Sequence, residues 1–266
     1  MNDTMAEREQ DVEITSEFYD KLSESYDAMT HFNRRFIGEK PFFAMLVQRY
    51  RLRTALDAGC GTGFHSFLLG ELGVRMTAVD ISKKMLAHLR THARERHVKV
   101  ELIEASFQEL PDRLHRKYDA VFCLGNSLPH LLSQYEIVQS LKNFAAALNP
   151  GGLLMLQQLN YDRILAKKER IQSVKEVDGM TFIRFYEFHD ASVTFNILTL
   201  KKDKGELNHE LESVKLRTIL KNELLEAAKA AGFSDLRVHG SIALDDYRPG
   251  ESKDLVVLAQ MPDANN

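Results

Sequence analysis

The sequence lacks several features on which membrane-spanning, secreted and metal-binding proteins depend. No apolar run approaches the length of a transmembrane helix, and residues 1–10 contain no apolar core of a signal peptide. The two cysteines, Cys60 and Cys123, provide neither a disulfide framework nor a zinc site, and no metal-binding cluster of acidic residues is visible. We therefore expect a cytoplasmic protein with no membrane association, two small buried thiols and no bound metal.

Charge of neither sign is in large excess. The formal net charge is −3, so no general attraction to nucleic acid or to an acidic membrane is expected. With 266 residues, 44% of them hydrophobic, the chain is long enough for one α/β domain with an insertion or a small lid. These values favour a small-molecule substrate and no nucleic-acid partner.

A glycine-rich loop between an apolar strand and a helix is the most informative motif. Asp57 ends the strand, and Gly59, Gly61 and Gly63 follow at alternate positions. Glycine is needed where the backbone has positive φ or lies directly against a ligand. The dinucleotide fingerprint needs its third glycine at the position of Phe64, and the Gly-Lys-Ser/Thr ending of a P-loop is absent. The loop therefore predicts a nucleoside-sized pocket at the edge of a parallel sheet.

Strands and helices alternate along the middle of the chain, which indicates right-handed crossovers and a parallel sheet. The patterns predict strands 53–58, 75–80, 98–104, 118–124 and 152–158, with helices 64–73, 82–96 and 134–148 and a short turn or helix at 107–116. Before them, we expect helices at 13–30 and 38–51 after a disordered first dozen residues. After them come strand-like runs at 170–217 with turns at Asp178-Gly179 and Lys204-Gly205, helix 220–232 and strands 234–240 and 253–260.

Asp80 ends the second strand about 20 residues after the glycine loop, where an acidic residue meets ribose hydroxyls in nucleotide-binding folds. A carboxylate can accept two hydrogen bonds from a vicinal diol. The alternative role is a helix N-cap, which Ser82 already suits. Ribose binding is therefore the favoured interpretation.

These motifs resemble those of the Rossmann-like S-adenosylmethionine (SAM) methyltransferases. The glycine loop is similar to their motif I, and residues 80–86 are similar to their D-x-S-x-x-M-L pattern. The resemblance implies SAM as cofactor and S-adenosylhomocysteine as product, with a first set of cofactor-binding residues comprising Asp57, Gly59, Cys60, Gly61, Gly63, Asp80, Ile81 and Met85. Ile81 would pack on adenine. Ser106 stands where the family places an acid or amide, and Phe107 either covers adenine or packs in the core.

The segment 123–131, C-L-G-N-S-L-P-H-L, resembles the glycine and glycine/sarcosine N-methyltransferases more narrowly. It implies cofactor contacts for Leu124 and Gly125. Asn126 and Ser127 can hold polar groups of the acceptor beside the transferred methyl. His130 either relays a proton or orients the loop around Asn126.

Two further positions bear on this resemblance. Arg35 falls where those enzymes place an arginine on the SAM carboxylate, for which a bidentate guanidinium pair is suited. Leu159 precedes the triplet Asn160-Tyr-Asp162, where the glycine enzymes have an arginine that holds the substrate carboxylate. An apolar side chain cannot neutralise a carboxylate.

The N-terminal segment resembles the lid that precedes the domain in many small-molecule methyltransferases. Tyr19 and Tyr26 are seven residues apart, so they share one face of a helix. They could close over the cofactor and exclude water, or simply pack. We select Tyr26 as a candidate catalytic residue with Asn126, Ser127 and His130.

The predicted fold is therefore α/β: a Rossmann-like seven-stranded methyltransferase sheet with an N-terminal helical lid and an antiparallel β insertion. The predicted segments are a lid at 1–51, a SAM-binding core at 52–159, a substrate-side insertion at 160–217 and a completion of the sheet at 218–266. The predicted activity is SAM-dependent methyl transfer by in-line displacement to a small molecule, at an amine nitrogen. The alternatives are an RNA methyltransferase and a non-catalytic SAM-binding sensor or assembly subunit. Exposed edges of the insertion could pair in a homo-oligomer.

Overall fold

The computed structural model describes residues 5–30, 32–203 and 206–263. Its helices are α1 Met5–Leu22, α2 Tyr26–Thr30, α3 Phe32–Tyr50, α4 Phe64–Glu71, α5 Lys83–Glu95, α6 Leu110–Arg113, α7 Gln134–Ala147, α8 Tyr161–Lys167 and α9 Lys221–Ala230. A short 3-10 helix spans Leu128–His130. Among these described residues, none of the helices combines the length and apolar character needed to cross a membrane.

The central sheet has seven strands: β1 Thr54–Ala58, β2 Arg75–Asp80, β3 Val100–Glu104, β4 Tyr118–Cys123, β5 Leu148–Leu159, β10 Ser234–His239 and β11 Asp254–Gln260. Their spatial order is β10-β11-β5-β4-β1-β2-β3. The five strands from β5 to β3 are parallel, and β11 is antiparallel to both β5 and β10. The predicted seven-stranded α/β sheet is confirmed, including its antiparallel last strand.

The strand order reverses between β1 and β4, which are neighbours at the centre of the sheet. In an open α/β sheet, the crevice outside the carboxyl ends of the strands at such a switch point is the usual ligand site. The loop after β1 contains the three glycines, and the loop after β4 contains residues 124–130. The topology therefore brings the two motifs to opposite sides of one crevice.

A second, four-stranded antiparallel sheet comprises β6 Ile171–Val177, β7 Met180–Phe188, β8 Ser192–Asp203 and β9 Glu206–Arg217. Its buried face contains Phe182, Tyr186 and Ile197, which pack with Phe18 of α1 and Tyr161 of α8. The predicted Asp178-Gly179 turn joins β6 to β7, whereas Lys204-Gly205 lies outside the described residues. The insertion thus forms one wall against the N-terminal helices.

Three predictions at the N-terminus were wrong. The single helix predicted at 13–30 is divided into α1 and α2, so Tyr19 and Tyr26 do not share one face of one helix. Helix α1 begins at Met5, although the first dozen residues were expected to be disordered, and α3 begins at Phe32 rather than at residue 38. Tertiary contacts account for the earlier starts of α1 and α3. The Arg8 guanidinium of α1 lies 4.9 Å from the centroid of the Tyr135 ring, and the ring of Phe36 in α3 packs edge-on against Phe64 at 6.0 Å. Such contacts are not visible as a local apolar repeat.

Candidate active site

The crevice between the loops after β1 and β4 forms a cavity of about 1080 Å³, including its open mouth. The lining includes thirteen of the residues predicted from sequence: Tyr26, Arg35, Gly59, Cys60, Gly61, Asp80, Ile81, Ser106, Phe107, Leu124, Gly125, Ser127 and His130. Residues far apart in the chain are therefore brought to one pocket.

Asp80 is held in a fixed orientation at the end of β2. One carboxylate oxygen accepts a hydrogen bond from the Gly61 backbone N–H at 2.8 Å, and the other accepts one from the Ser82 N–H at 2.9 Å. Each carboxylate oxygen has two lone pairs, so each can accept a further bond. The Ser82 hydroxyl caps α5 by accepting from the Met85 N–H, which leaves Asp80 available for a ligand.

Burial raises the pKa of Asp80 to about 6, because desolvation outweighs its two backbone hydrogen bonds. Hydroxyl donors of a ribose would favour the ionised carboxylate. SAM affinity should therefore fall as the pH drops below about 6, reaching roughly 10-fold weaker binding at pH 5 than at pH 7.5. Calorimetric titration across this range would measure the effect. Asp80→Asn is the control, because an amide does not titrate: a similar loss in that variant would assign the pH dependence to another group.

Gly59 is required by close packing between the two loops. Its φ angle is +75°, and a Cβ built there would lie 2.6 Å from the Ser127 Oγ and 2.7 Å from the Ser127 Cβ. The Ser127 hydroxyl lies 3.3 Å from the Gly59 carbonyl and donates to the Leu124 carbonyl at 2.9 Å. Ser127 therefore joins the cofactor-side loop to the loop after β4.

Gly61 and Gly125 also have positive φ angles, of +54° and +74°. A Cβ on Gly61 would approach the Tyr26 ring at 3.8 Å, and a Cβ on Gly125 would have no neighbour within 4 Å among the described atoms. Both glycines line the cavity, so the missing side chains leave space for a ligand to approach the backbone.

Four predicted site residues lie outside the cavity lining: Asp57, Gly63, Met85 and Asn126. The buried Asp57 carboxylate accepts a hydrogen bond from the Ser66 hydroxyl of α4 at 2.7 Å. Gly63 has φ +92° and lies so near α5 that a Cβ would come within 2.5 Å of Leu89. Met85 is fully buried at the start of α5. These three residues support the glycine loop and the helices α4 and α5. Their direct contact with the cofactor stays a prediction.

Asn126 has a positive φ of +70° and lies outside the cavity lining, within the loop after β4. Its side-chain oxygen accepts from the Leu159 N–H at 2.9 Å, and its amide donates to the Tyr161 hydroxyl at 3.1 Å. These bonds connect the loop after β4 to the end of β5 and to α8. A role for Asn126 in holding the acceptor therefore stays a prediction.

His130 lines the cavity and is hydrogen-bonded to a residue of the lid. Its Nε2 lies 2.8 Å from the Tyr19 hydroxyl, and the two rings pack edge-on. Burial lowers the pKa of His130 to about 4, so the imidazole is neutral at pH 7. The Tyr19 ring in turn packs against the ring of Tyr26 at 6.2 Å. His130 thus anchors a pair of tyrosines that cover the pocket.

The N-terminal helices are tied to the cofactor-side loops at further points. The Ser82 hydroxyl donates to the Asp20 carboxylate of α1 at 2.5 Å. The Thr62 hydroxyl donates to the Asp27 carboxylate of α2 at 2.6 Å. These bonds join the N-terminal helices to residues beside Gly61 and Asp80.

Arg35, Ser106 and Phe107 complete the predicted cofactor side. Arg35 is bonded through Nε to Glu39 at 2.9 Å, and its guanidinium lies over the Phe64 ring. The backbone N–H and hydroxyl of Ser106 both donate to the Glu109 carboxylate at 2.7 Å. Phe107 lines the cavity and also packs edge-on against Phe144 of the core, so the two alternatives for it are compatible.

Several cavity residues were not selected from sequence: Asp11, Val12, Thr15, Tyr19, Thr30, Thr62, Phe64, His65, Ala105, Gln108, Leu131 and Glu136. Tyr19 belongs to the predicted lid but not to the candidate catalytic residues. Thr62 and His65 could have been found because they lie within or beside the glycine loop. Asp11 and Val12 gave no signal, because the first dozen residues were expected to be disordered.

Known proteins provide four informative comparisons. A family profile described as "Methyltransferase domain" matches residues 55–152. The glycine/sarcosine N-methyltransferase of Halorhodospira halochloris is 32% identical over 219 residues, which are 77% of this chain and 81% of that protein. Among solved structures, a SAM-dependent methyltransferase from Clostridium acetobutylicum aligns with a TM-score of 0.79 at 18% identity, covering 92% of this chain and 99% of that chain. A SAM-bound amino pentose methyltransferase from Micromonospora echinaspora gives 0.69 at 19% identity, covering 88% and 95%.

Proposed function

This chain belongs to the glycine/sarcosine N-methyltransferase family and is a SAM-dependent methyltransferase, and we propose on that basis that it methylates the amine nitrogen of a small molecule. The observation that carries the proposal is the shared cavity, in which the Asp80 carboxylate and glycine loop face the lid tyrosines Tyr19 and Tyr26. One wall is suited to a nucleoside, and the other offers hydroxyl groups to a small polar acceptor.

The cavity fits SAM on its own chemistry. Asp80 has accepting capacity for the ribose hydroxyls, the open space at Gly61 and Gly125 admits the cofactor against the backbone, and Arg35 would hold its carboxylate. Ile81 and Phe107 provide apolar surface for adenine. When bound, SAM supplies a methyl group on a positively charged sulfur, which a nucleophile displaces in line.

The residues around the cavity are suited to orienting a neutral amine rather than to acid–base chemistry. An amine must present a free lone pair, and alignment contributes more to such a displacement than proton transfer does. The Tyr26 hydroxyl can accept a hydrogen bond from an amine N–H. A pKa of about 4 makes the His130 imidazole a weak base, and the Tyr19 hydroxyl already occupies its Nε2, so we assign His130 the anchoring of Tyr19 and not the relay of a proton.

Tyr19 and His130 should therefore contribute to catalysis through one shared hydrogen bond. Tyr19→Phe and His130→Gln are each expected to lower kcat/KM about fivefold, corresponding to ~1 kcal/mol for the lost bond. The double variant should be no worse than either single variant, because both changes remove the same interaction. Steady-state kinetics of the four proteins would measure this cycle. Additive losses, or a pH inflection of kcat that disappears in His130→Gln, would instead support the proton relay.

The proposed acceptor class is tested with a panel of amines, phenols, thiols and unmodified RNA, each incubated with SAM. Methylation confined to amines is the expected result. Methylated RNA would support the RNA methyltransferase alternative, and SAM binding without turnover on any acceptor would support the sensor or assembly subunit. Asp80→Ala is the control for background methylation. The homo-oligomer, the cytoplasmic location and the four segment boundaries stay predictions.

A further inference from the structure

One face of the four-stranded sheet carries a band of apolar side chains directed away from the N-terminal helices. Alternate residues of a strand share one face, so Ile183 of β7 lies on the opposite face from Phe182, which is buried against those helices. The strand pairings extend the face of Ile183 into one apolar row across the whole sheet, formed by Val174, Ile183, Leu198 and Leu211. We call this face the outer face.

The apolar residues at the margins of the outer face are open to solvent. Four of them, on the edge strands β6 and β9, are between 53% and 67% exposed: Ile171, Val174, Leu207 and Leu211. Pairing with Phe185 of β7 places Ile171 on the outer face. Pairing with Lys202 of β8 places Leu207 there too. A contiguous apolar patch of this kind marks an interaction surface rather than a scatter of single exposed residues.

The outer face takes no part in the active site. The inner face of the same sheet packs with Phe18 of α1 and Tyr161 of α8. Among the described residues, the lining of the active-site cavity includes none from strands β6 to β9. Binding of cofactor or acceptor therefore does not explain the apolar row, and a second macromolecule is needed to cover it.

The outer face is large enough to hold two copies of the chain together. Four strands ~4.8 Å apart, with the 9 residues of β7 rising ~3.3 Å each, make a face of roughly 20 by 30 Å. Its projected area is therefore ~600 Å², and side chains standing out from the sheet add accessible surface to that projection. A stable dimer buries ~800 Å² on each subunit. One sheet face thus supplies an interface of about the required size.

Two residues of opposite charge lie at diagonally opposite corners of the outer face. Glu176 is on β6 near the turn to β7, where it is paired with Thr181. Lys215 is on β9, where it is paired with Thr194 near the start of β8. Neither side chain forms an ion pair within the described parts of the chain. Three strand spacings and about six residue positions separate them, so they lie ~25 Å apart in one chain.

We propose that the outer face is the interface of a twofold-symmetric dimer, in which the sheets of two copies of this chain pack orthogonally. A twofold interface is isologous, so the apolar row of one copy meets the same row of the other. Packing at about 90° is one of the two arrangements of stacked sheets, and with the twofold axis along the other diagonal it brings Lys215 of each copy over Glu176 of the second copy. The pairing uses the face of the sheet and leaves the strand edges free.

Analytical ultracentrifugation of the whole chain tests the surface. The wild type should sediment as a dimer, and Leu211→Glu should raise the Kd of the dimer by ~100-fold or more, because the twofold axis buries two unpaired carboxylates in an apolar interface. Ile37→Glu is the matched control: this residue is 79% exposed on α3, outside the sheet, and its substitution should leave the Kd unchanged. Titration with SAM verifies that each variant is folded, since the described cavity lining includes no residue of the sheet.

A second measurement uses the wild-type protein alone. A carbodiimide joins a carboxylate to a lysine amine in direct contact with it, so it should link Lys215 to Glu176 in a product of twice the chain mass, identified by mass spectrometry of the cross-linked peptides. The separation of ~25 Å excludes that link within one copy. A monomeric wild type, a dimer without this link, or a dimer whose Kd is unchanged in folded Leu211→Glu would overturn the proposal. The last result would assign the dimer to the strand edges or to another surface.

Discussion

Asp80→Ala is expected to weaken SAM binding by ~100-fold or more and to remove methyl transfer at ordinary SAM concentrations. The variant would lose two charge-assisted hydrogen bonds from the ribose hydroxyls to the carboxylate, each contributing ~1.5–3 kcal/mol. It would also leave the N–H groups of Gly61 and Ser82 without their acceptor. Calorimetric titration with SAM and with S-adenosylhomocysteine measures the loss directly.

The control for this variant separates ligand contact from loop support. Ser82→Ala removes the α5 cap and the hydrogen bond to Asp20 but keeps the Asp80 carboxylate. It should bind SAM far better than Asp80→Ala, even though the same turn is perturbed. Circular dichroism would verify that both variants are folded. Equal losses of affinity would show that Asp80 acts through the turn and not on the ribose.

Gly59→Ala is expected to lower the free energy of unfolding by ~2–5 kcal/mol and to impair SAM binding. Part of the cost, ~1–2 kcal/mol, comes from placing an L-residue at φ +75°. The remainder, ~1–3 kcal/mol, comes from overlap of the new Cβ with Ser127, which forces the two loops apart. Urea unfolding and SAM titration measure the two effects.

Two further variants divide that cost into its parts. Gly73→Ala carries a similar backbone strain at φ +86° but meets nothing within 4 Å, so it should lose the strain component alone. Gly59→Ala combined with Ser127→Gly should recover the overlap component, because both contacting atoms of Ser127 are removed. If Gly73→Ala and Gly59→Ala lose equal stability, or if Ser127→Gly gives no recovery, close packing of the loops is not what requires the glycine.

The parts of the fold that could be predicted from sequence are those governed by local patterns. The strands β1, β2 and β4 alternate with helices, and their boundaries follow apolar runs and turn residues. The antiparallel pairing of β11 with β5 followed from the resemblance to a known family. The N-terminal helices were less predictable, because docking through Ser16, Asp20 and Asp27 stabilises them and leaves no periodic signal.

The candidate site likewise contains residues that could be identified from sequence and residues that could not. Gly59, Gly61 and Asp80 could be selected because their spacing follows from a strand, a turn and a helix in succession. The supporting role of Asn126 could not, since it depends on pairing with Leu159 at the end of β5.

The most direct test of the amine methyltransferase assignment is the chemical position of the transferred methyl group. The protein is incubated with SAM carrying a ¹³C-methyl group and with an equimolar mixture of glycine, glycinamide, a phenol and a thiol, and the products are examined by NMR. The expected result is label bonded to nitrogen, with one S-adenosylhomocysteine formed per methyl transferred and none formed by Asp80→Ala. Label bonded to oxygen or sulfur, or SAM bound by the wild type without any labelled amine, would contradict the assignment.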